Sequence, residues 1–204
     1  DSDGGCYIVW DDLRNGDTPN DDIYGQHLSA TGTVLWEANG KPICNAPNQQ
    51  NSALVKISNN LVFINWMDMR NGSVGIYYQV YNSAGVAQLT ENGQLMFWGL
   101  SGDAPLNNYL ILPRSQDVVI IWQDTRFANI GYQIFFQFLN PDGTIDLEPN
   151  GIPVTLSTGA DQSSPAAAVL SDDSIILAWV DARDENPKIY LQHLDANGNR
   201  LWGD

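Results

Sequence analysis

Acidic and basic side chains recur together at four places in the chain, in the pattern Trp-x-Asp-x-Arg. The four sets are Trp10, Asp12 and Arg14; Trp66, Asp68 and Arg70; Trp122, Asp124 and Arg126; and Trp179, Asp181 and Arg183. Residues two apart on extended backbone point to the same side, so each Asp can pair with its Arg. The four Arg side chains could instead bind an anionic ligand, such as an acidic sugar, in bidentate fashion. Because an enzyme needs each active group once, this repetition favours a structural role.

A second acidic cluster lies in an insertion that only the first copy of the motif carries. Asp17, Asp21 and Asp22 fall within six residues of each other, and closely spaced carboxylate oxygens are the ligands that calcium prefers. The alternative is a solvated turn that keeps the surface anionic, and the cluster has no EF-hand loop pattern. Calcium is therefore the one candidate cofactor, with Asp17, Asp21 and Asp22 as its ligands. The pattern favours the alternative, a solvated turn.

Two aromatic residues fall outside the repeated pattern. Phe97 and Trp98 belong to a Met-Phe-Trp-Gly-Leu segment that we interpret as a loop. Exposed aromatic rings can stack on sugars, so both are candidate ligand-binding residues, with packing between repeats as the alternative. His27 and His193 occupy one repeat position that Val80 and Phe138 fill elsewhere, which favours a packing position over a metal or catalytic site.

Glycoside cleavage would require two carboxylates facing each other across a pocket, at a separation of about 5 to 9.5 Å. The sequence alone does not identify such a pair. The Glu residues mostly follow the predicted third strand of a repeat, at a turn, and this position favours a structural role. The chain also has no Gly-x-Ser-x-Gly elbow, phosphate-binding loop or paired Cys and His metal motif.

The spacing of the motif fixes the organisation of the chain. Its Trp residues lie 56, 56 and 57 residues apart, which indicates stacked or radially arranged copies of one supersecondary unit. We place the four repeats at residues 1–46, 47–102, 103–159 and 160–204, in a single propeller-type domain.

Each repeat contains the signals of four short strands. An apolar, β-branched run ends in the motif Trp, and a second strand carries an Ile-aromatic-x-Gln pattern. A Gly turn leads to a third, Leu-Trp type strand, for example residues 34–36, which we assign to the rim. A fourth strand rich in small residues, for example 166–169, suits the crowded centre of a propeller. The predicted fold is an all-β propeller array of four blades, each with four antiparallel strands, and no convincing helix.

The motifs resemble the propeller repeats of bacterial extracellular surface proteins. Those repeats read Trp-x-Asp-x-Arg-Asn-Gly, then Ile-Tyr-x-Gln, then Gly-x-x-Leu-Trp, and the resemblance covers the whole chain. Residues 14–16 and 70–72 match best, whereas the third and fourth repeats depart after the Arg. The resemblance implies a propeller fold and an exported location; it implies no catalytic residue.

Composition limits the partners. The chain has 24 acidic and 9 basic residues and a net charge of −15, which disfavours nucleic acid and anionic membranes as partners. No apolar stretch approaches the ~20 residues of a membrane-spanning helix, so we expect no membrane insertion. Few Lys and many Asn, Gly, Ser and Thr are typical of exported proteins. Cys6 and Cys44 could form one disulfide or be two small core residues.

The first blade begins at its Trp strand and therefore lacks its innermost strand. An open sheet edge is a template for strand addition, so the chain could assemble with copies of itself or belong to a longer surface protein. We accordingly expect a non-enzymatic extracellular or cell-surface module with a structural or adhesive role that self-assembles into filaments or oligomers. A lectin-like carbohydrate-binding propeller and a glycoside-cleaving enzyme are the alternatives.

Overall fold

The computed structural model describes residues 1–15, 21–98, 109–127, 130–156, 159–184 and 186–203, which form fourteen strands and no helix. The strands make four antiparallel sheets of three or four strands, one for each repeat. This organisation confirms that the fold is all-β. It also means that none of the described residues belongs to a helix that could cross a membrane.

The strand order is the same in every sheet. Sheet 1 contains β1 (Cys6–Asp12), β2 (Asp22–Leu28) and β3 (Lys41–Cys44). Sheet 2 contains β4 (Gln50–Ser58), β5 (Leu61–Asp68), β6 (Gly75–Asn82) and β7 (Gln94–Trp98). Sheet 3 contains β8 (Leu110–Pro113), β9 (Val118–Asp124), β10 (Gln133–Leu139) and β11 (Ile152–Pro153). Sheet 4 contains β12 (Gln162–Val169), β13 (Ile175–Asp181) and β14 (Lys188–Leu194).

The chain divides into two compact units, each with its own core. The first unit holds sheets 1 and 2 together with residues 140–144, and its core joins Ile23 of sheet 1 to Val62, Ile64 and Trp66 of sheet 2. The second unit holds sheets 3 and 4, and Phe136 packs there with Trp179. These residues are apolar and lie on strands rich in β-branched side chains, as expected for buried sheet faces.

The predicted rim strand is wrong in all four repeats. The Leu-Trp segments form only one isolated bridge each, such as Leu28 with Val34. The fourth strand lies instead after the Asn-Gly turn, where β3, β7 and β11 pair with the Gln strand. Sheet 4 consequently has three strands, and so does sheet 1, in which β1 has no inner neighbour among the described residues, as predicted.

A glutamine side chain explains why the Leu-Trp segment forms no strand. In sheet 2 the Gln79 amide donates to the Thr90 carbonyl at 2.8 Å and accepts the N–H groups of Val80 and Leu89 at 2.9 and 3.0 Å. The side chain thus provides the hydrogen bonds that a neighbouring strand would otherwise supply. We call this arrangement the Gln clasp; its members are Gln26, Gln79, Gln137 and Gln192.

The inner strands of sheets 2 and 4 are bulged at one serine each. Pairing shifts between Asn51 and Leu54 in β4, and between Ser163 and Ala166 in β12. Ser52 and Ser164 have φ angles of 56° and 55°, a left-handed conformation that is uncommon for residues other than glycine. Bulges of this kind redirect side chains and are frequent next to functional sites.

Candidate functional site

The motif carboxylates are fully engaged within their own repeats. In sheet 2 the Trp66 indole N–H donates to Asp68 Oδ2 at 2.9 Å, and the Arg70 backbone N–H donates to Oδ1 at 2.8 Å. Arg70 Nη2 lies 2.5 Å from Oδ2, and the Asp68 side chain is 0% exposed. The same contacts recur at Asp12, Asp124 and Asp181.

The motif arginines also stack on an aromatic ring of the Gln strand. The Arg70 guanidinium lies 4.0 Å from the centroid of Tyr77, and its Nη2 donates to the Asn92 carbonyl at 2.9 Å. Equivalent stacking joins Arg14 to Tyr24, Arg126 to Phe135 and Arg183 to Tyr190. Cation–π contact and ion pairing together hold each guanidinium in place, which supports the structural interpretation over anion binding.

The electrostatics of this motif fit the same role. A hydrogen bond from Arg14, opposed by burial, holds the pKa of Asp12 far below its usual value. Beside the second motif, Arg70 Nη2 contacts Cys44 Sγ at 3.0 Å, yet burial raises the pKa of that thiol to about 12. Cys44 is therefore a protonated core residue. Cys6 is exposed and the two cysteines are not bonded.

Two carboxylates near the motif end of sheet 1 lie outside the Trp-Asp-Arg clusters. Asp11 pairs in register with Ile23. Asp21 directly precedes β2, and continuing the alternation of the strand by one residue would put it diagonally opposite Asp11 on the same face. Such positions lie roughly 7–8 Å apart across two strands. Asp11 Oδ2 accepts the N–H of bulged Ser52 at 3.3 Å, and Asp21 Oδ2 accepts from Gln49 Nε2 at 3.2 Å. Both carboxylates thus face the inner strand of sheet 2.

A cavity of about 230 Å³ is connected to this pair through Gln49, which lines the cavity and donates to Asp21. It is lined by Asn48, Gln49, Met69 and Gly72, so its wall combines two amide side chains, a thioether and the backbone of a glycine. The Asn48 amide donates to the Arg70 carbonyl at 3.4 Å. Amides beside an apolar surface can bind the hydroxyl groups and carbon face of a neutral sugar. Gln49 joins the cavity to Asp21, which makes the two features one candidate site.

Sequence reasoning identified only part of this candidate site. The sequence offers Asp21 only as a candidate calcium ligand, beside the favoured alternative of a solvated turn, and it does not single out Asp11, the second residue of the first motif. That position is Asp11, Met67, Gln123 or Val180. The sequence signal for Asp11 is that its position does not repeat. A catalytic group is needed only once in an enzyme and has no reason to recur in every repeat.

The predicted calcium ligands do not all act together within the described residues. Asp22 is buried, with 5% of its surface exposed, and accepts a hydrogen bond from Asn15 Nδ2 at 2.5 Å. Asp21 contacts Gln49, and Asp17 lies outside the described residues. In the part of the chain that the structure describes, no group of three or more His, Cys, Asp or Glu residues could hold a metal ion.

The two aromatic candidates, Phe97 and Trp98, differ in their exposure to solvent. Phe97 is 1% exposed and belongs to the core, so its prediction as a ligand-binding residue is wrong. Trp98 is the last residue of β7 rather than part of a loop, and it is 43% exposed. Its indole N–H donates to Ser73 Oγ. Trp98 therefore offers a ring on the outer strand of sheet 2.

The histidine positions serve local packing. His27 is 7% exposed, its ring stacks on Tyr7 at 4.0 Å, and its Nε2 lies 2.6 Å from Asp1 Oδ2. His193 contacts Ser174 Oγ at 3.1 Å through Nε2. A cavity of about 160 Å³ borders His27 and Tyr7, at the end of sheet 1 where β1 begins and β2 ends.

Comparison with known proteins indicates the fold. Neither a protein-family model nor a curated protein matches the sequence. Among solved structures, the α-L-arabinofuranosidase of Fusarium graminearum superposes with a TM-score of 0.54 and 11% identity, over 98% of this chain and 62% of that one. The α-L-arabinanase of Penicillium chrysogenum gives 0.53 and 10%, over 97% and 63%.

A third match is a family 117 glycoside hydrolase of Zobellia galactanivorans, with a TM-score of 0.52 and 10% identity over 97% of this chain and 64% of that one. This chain therefore spans about three fifths of the length of the solved structures it matches. All three are propeller enzymes that act on carbohydrates. They contradict our expectation of a non-enzymatic structural or adhesive module; the fold of this chain is similar to that of glycoside hydrolases.

Proposed function

We propose that this chain forms part of a β-propeller enzyme that cleaves glycosidic bonds. The observation that carries the proposal is the fold similarity over 97–98% of the chain to propeller glycoside hydrolases. The four sheets correspond to four blades in this proposal. An exported location remains a prediction from composition, and it suits an enzyme whose polymeric substrate lies outside the cell.

Asp11 and Asp21 are the carboxylate pair that we assign to the reaction. The backbone positions of a diagonal pair lie roughly 7–8 Å apart. Inverting hydrolases need carboxyl groups about 6.5 to 9.5 Å apart, with room for a water molecule between the acid and the base, and we propose this arrangement for the pair. One would protonate the leaving oxygen while the other activates the water. Asn48, Gln49 and Met69 would hold the sugar beside them, and Trp98 would stack on a more distant residue of the glycan.

Hydrolysis of a panel of neutral glycans tests this function. We expect the chain to release reducing sugar from arabinan or from arabino-oligosaccharides, the glycans named for two of the matched structures. Asp11→Asn and Asp21→Asn should each reduce kcat at least roughly 100-fold, because each would remove a general acid or base. Proton NMR of the first product should show an inverted anomeric configuration.

Glu91→Gln is the matched control, because Glu91 is an exposed carboxylate in the same unit, far along the chain at an Asn-Gly turn. It should retain the parent activity. Trp98→Ala should raise KM more than it lowers kcat. No release from any glycan, or Asp11 and Asp21 variants as active as Glu91→Gln, would contradict the proposal.

A further inference from the structure

The face of sheet 4 opposite its Trp side carries large exposed apolar residues. Ile189 is 63% exposed and Leu191 is 50% exposed. The two lie two residues apart on β14, so their side chains share one face of the sheet. Ala178 and Val180 of β13 are opposite them in register and are partly buried. The result is a contiguous apolar surface on one sheet face.

The same positions are buried in the other three repeats. Ile189 corresponds to Ile23, Ile76 and Ile134, all of which are 0% exposed. Leu191 corresponds to Gly25, Tyr78 and Phe136; the latter two are 3% and 0% exposed. One position of a repeated unit thus changes from fully buried to more than half exposed although its residue type, Ile, does not change. The environment differs between the repeats, and the chemistry of the side chain does not.

Within each unit, the residues that bury this position come from the next repeat. Ile23 of sheet 1 packs in one cluster with Val62, Ile64 and Trp66 on the Trp strand of sheet 2. In the second unit, Ile134 and Phe136 pack with Leu177 and Trp179 on the Trp strand of sheet 4. Both interfaces join a Gln strand to the apolar Trp strand that follows it along the chain.

The edge of β14 gives a second indication. Each of the preceding Gln strands, β2, β6 and β10, pairs with an outer strand that follows an Asn-Gly turn. Among the described residues, β14 has β13 as its only partner strand, apart from the isolated bridge between Leu194 and Arg200. A partner that covers Ile189 and Leu191 in the manner of the other repeats would bring an outer strand to the same place.

We propose that the face of sheet 4 opposite its Trp side is a docking surface for one further repeat of the same type. The Trp strand of that repeat would pack on Ile189 and Leu191. The required partner is a four-stranded sheet with an apolar Trp strand, preceded by an Asn-Gly turn and an outer strand. Continuity with the two interfaces inside the units identifies this occupant. The proposal does not depend on the glycosidase assignment.

The chain itself provides the probe. Residues 39–98 contain the Asn-Gly turn, an outer strand and all of sheet 2, and Trp202 corresponds to Trp36. Residues 39–98 appended after residue 204 should therefore extend β14 and cover its face. We expect the melting temperature to rise by roughly 5 °C or more, and amide exchange of β14 to slow at least about 10-fold in mass-spectrometric measurements.

Ile189→Lys with Leu191→Lys is the test of the contact. In the 204-residue chain this double variant should change Tm by no more than about 1 °C, because both side chains are exposed there. It should also lower the fluorescence of bound anilinonaphthalene sulfonate, which reports exposed apolar surface. In the extended chain it should abolish the gain in Tm and in exchange protection.

Three outcomes would overturn the proposal. The first is unchanged dye binding in the double variant of the 204-residue chain. The second is protection of β14 in the extended chain that survives both lysines. The third is a dimer of the 204-residue chain, measured by light scattering and lost in the double variant, since a second copy would then be the occupant.

Discussion

At Asp68, one buried carboxylate joins three parts of sheet 2: the indole of Trp66, the guanidinium of Arg70 and the backbone of the following turn. A buried ion pair contributes little net stability, because desolvation offsets the attraction, but loss of one partner leaves an uncompensated charge. The motif therefore specifies the geometry of each turn more than it adds to the free energy of folding. This is a physical reason for its occurrence in every repeat.

The pKa of Asp117 is shifted in the opposite direction to that of Asp12. Burial raises its pKa to about 6, opposed by Arg114 and reinforced by the negative charges of Asp146 and Asp173. Arg114 Nε lies 3.3 Å from its Oδ1, and the Arg114 guanidinium stacks on Phe138 at 3.8 Å. The folded state thus binds a proton more tightly than the unfolded state does, in which the carboxyl has its ordinary pKa of 3.8.

We predict that Asp117 makes the protein less stable as the pH rises from about 4 to about 6, because the folded state then loses a proton that the unfolded state has already released. In the parent, this contribution to the free energy of unfolding should be about 1–2 kcal/mol larger at the low end of that window, after allowance for solvent screening. Asp117→Asn should remove that difference in urea titrations at the two pH values.

Asp172→Asn is the control with the opposite sign. Hydrogen bonds from Ser174 lower the pKa of Asp172, so its contribution is present above the unfolded pKa and is lost as the pH falls. Asp172→Asn should therefore increase the amount by which the free energy of unfolding at the lower pH exceeds that at the higher pH. The prediction for Asp117 is contradicted if the two variants change the pH dependence in the same direction.

At the scale of one strand or turn, the Asn-Gly turns and Gln clasps determine where the outer strand lies. The apolar Trp strands and Gln strands could be predicted from the sequence, because their hydrophobic runs report burial directly. The outer strand could not, because Gln79 bonds the Leu-Trp segment through its side chain and hydrophobic pattern does not reveal such a bond. The loop prediction for Trp98 fails as well, because its segment has no counterpart in the other repeats and yet forms β7.

Gly93 is a turn residue with no room for a side chain. Its φ is +73°, and a Cβ at this position would lie 2.5 Å from both Trp66 Cη2 and the Tyr78 carbonyl oxygen. We predict that Gly93→Ala lowers the free energy of unfolding by about 3 kcal/mol, through left-handed strain and the clash together.

Gly72→Ala separates these two effects. Gly72 also has a positive φ, +83°, but no atom lies within 4 Å of the added Cβ. Its cost should be about 1 kcal/mol, from backbone strain alone. Equal losses in the two variants, measured by urea unfolding, would show that contact with Trp66 does not matter.

For the whole molecule, charge is the dominant property. A net charge of −15 on 204 residues opposes compaction, because like charges repel in the folded state more than in the expanded one. The fold could be inferred from repetition, since the 56-residue spacing of Trp10, Trp66 and Trp122 is regular. The candidate site could not be inferred in this way, because Asp11 and Asp21 come near each other only through the register of β1 with β2.

We predict that salt stabilises the protein. Raising NaCl from about 20 mM to about 500 mM should increase Tm by roughly 2–5 °C, because screening weakens the repulsion between surface carboxylates. Calcium chloride at matched ionic strength is the comparison. An equal rise indicates screening, a larger rise with calcium supports the predicted site at Asp17, Asp21 and Asp22, and a fall in Tm with NaCl contradicts the prediction.

The Gln clasp also bears on how such arrays can be recombined. Each clasp closes within about eleven residues, for example from Gln79 to Thr90, so it belongs wholly to one repeat. A junction placed just before an inner strand leaves every clasp intact, whereas one placed between the Gln strand and the Asn-Gly turn divides it. Gene duplication or laboratory splicing at the first kind of junction should therefore yield arrays whose blades fold with their own hydrogen bonds complete.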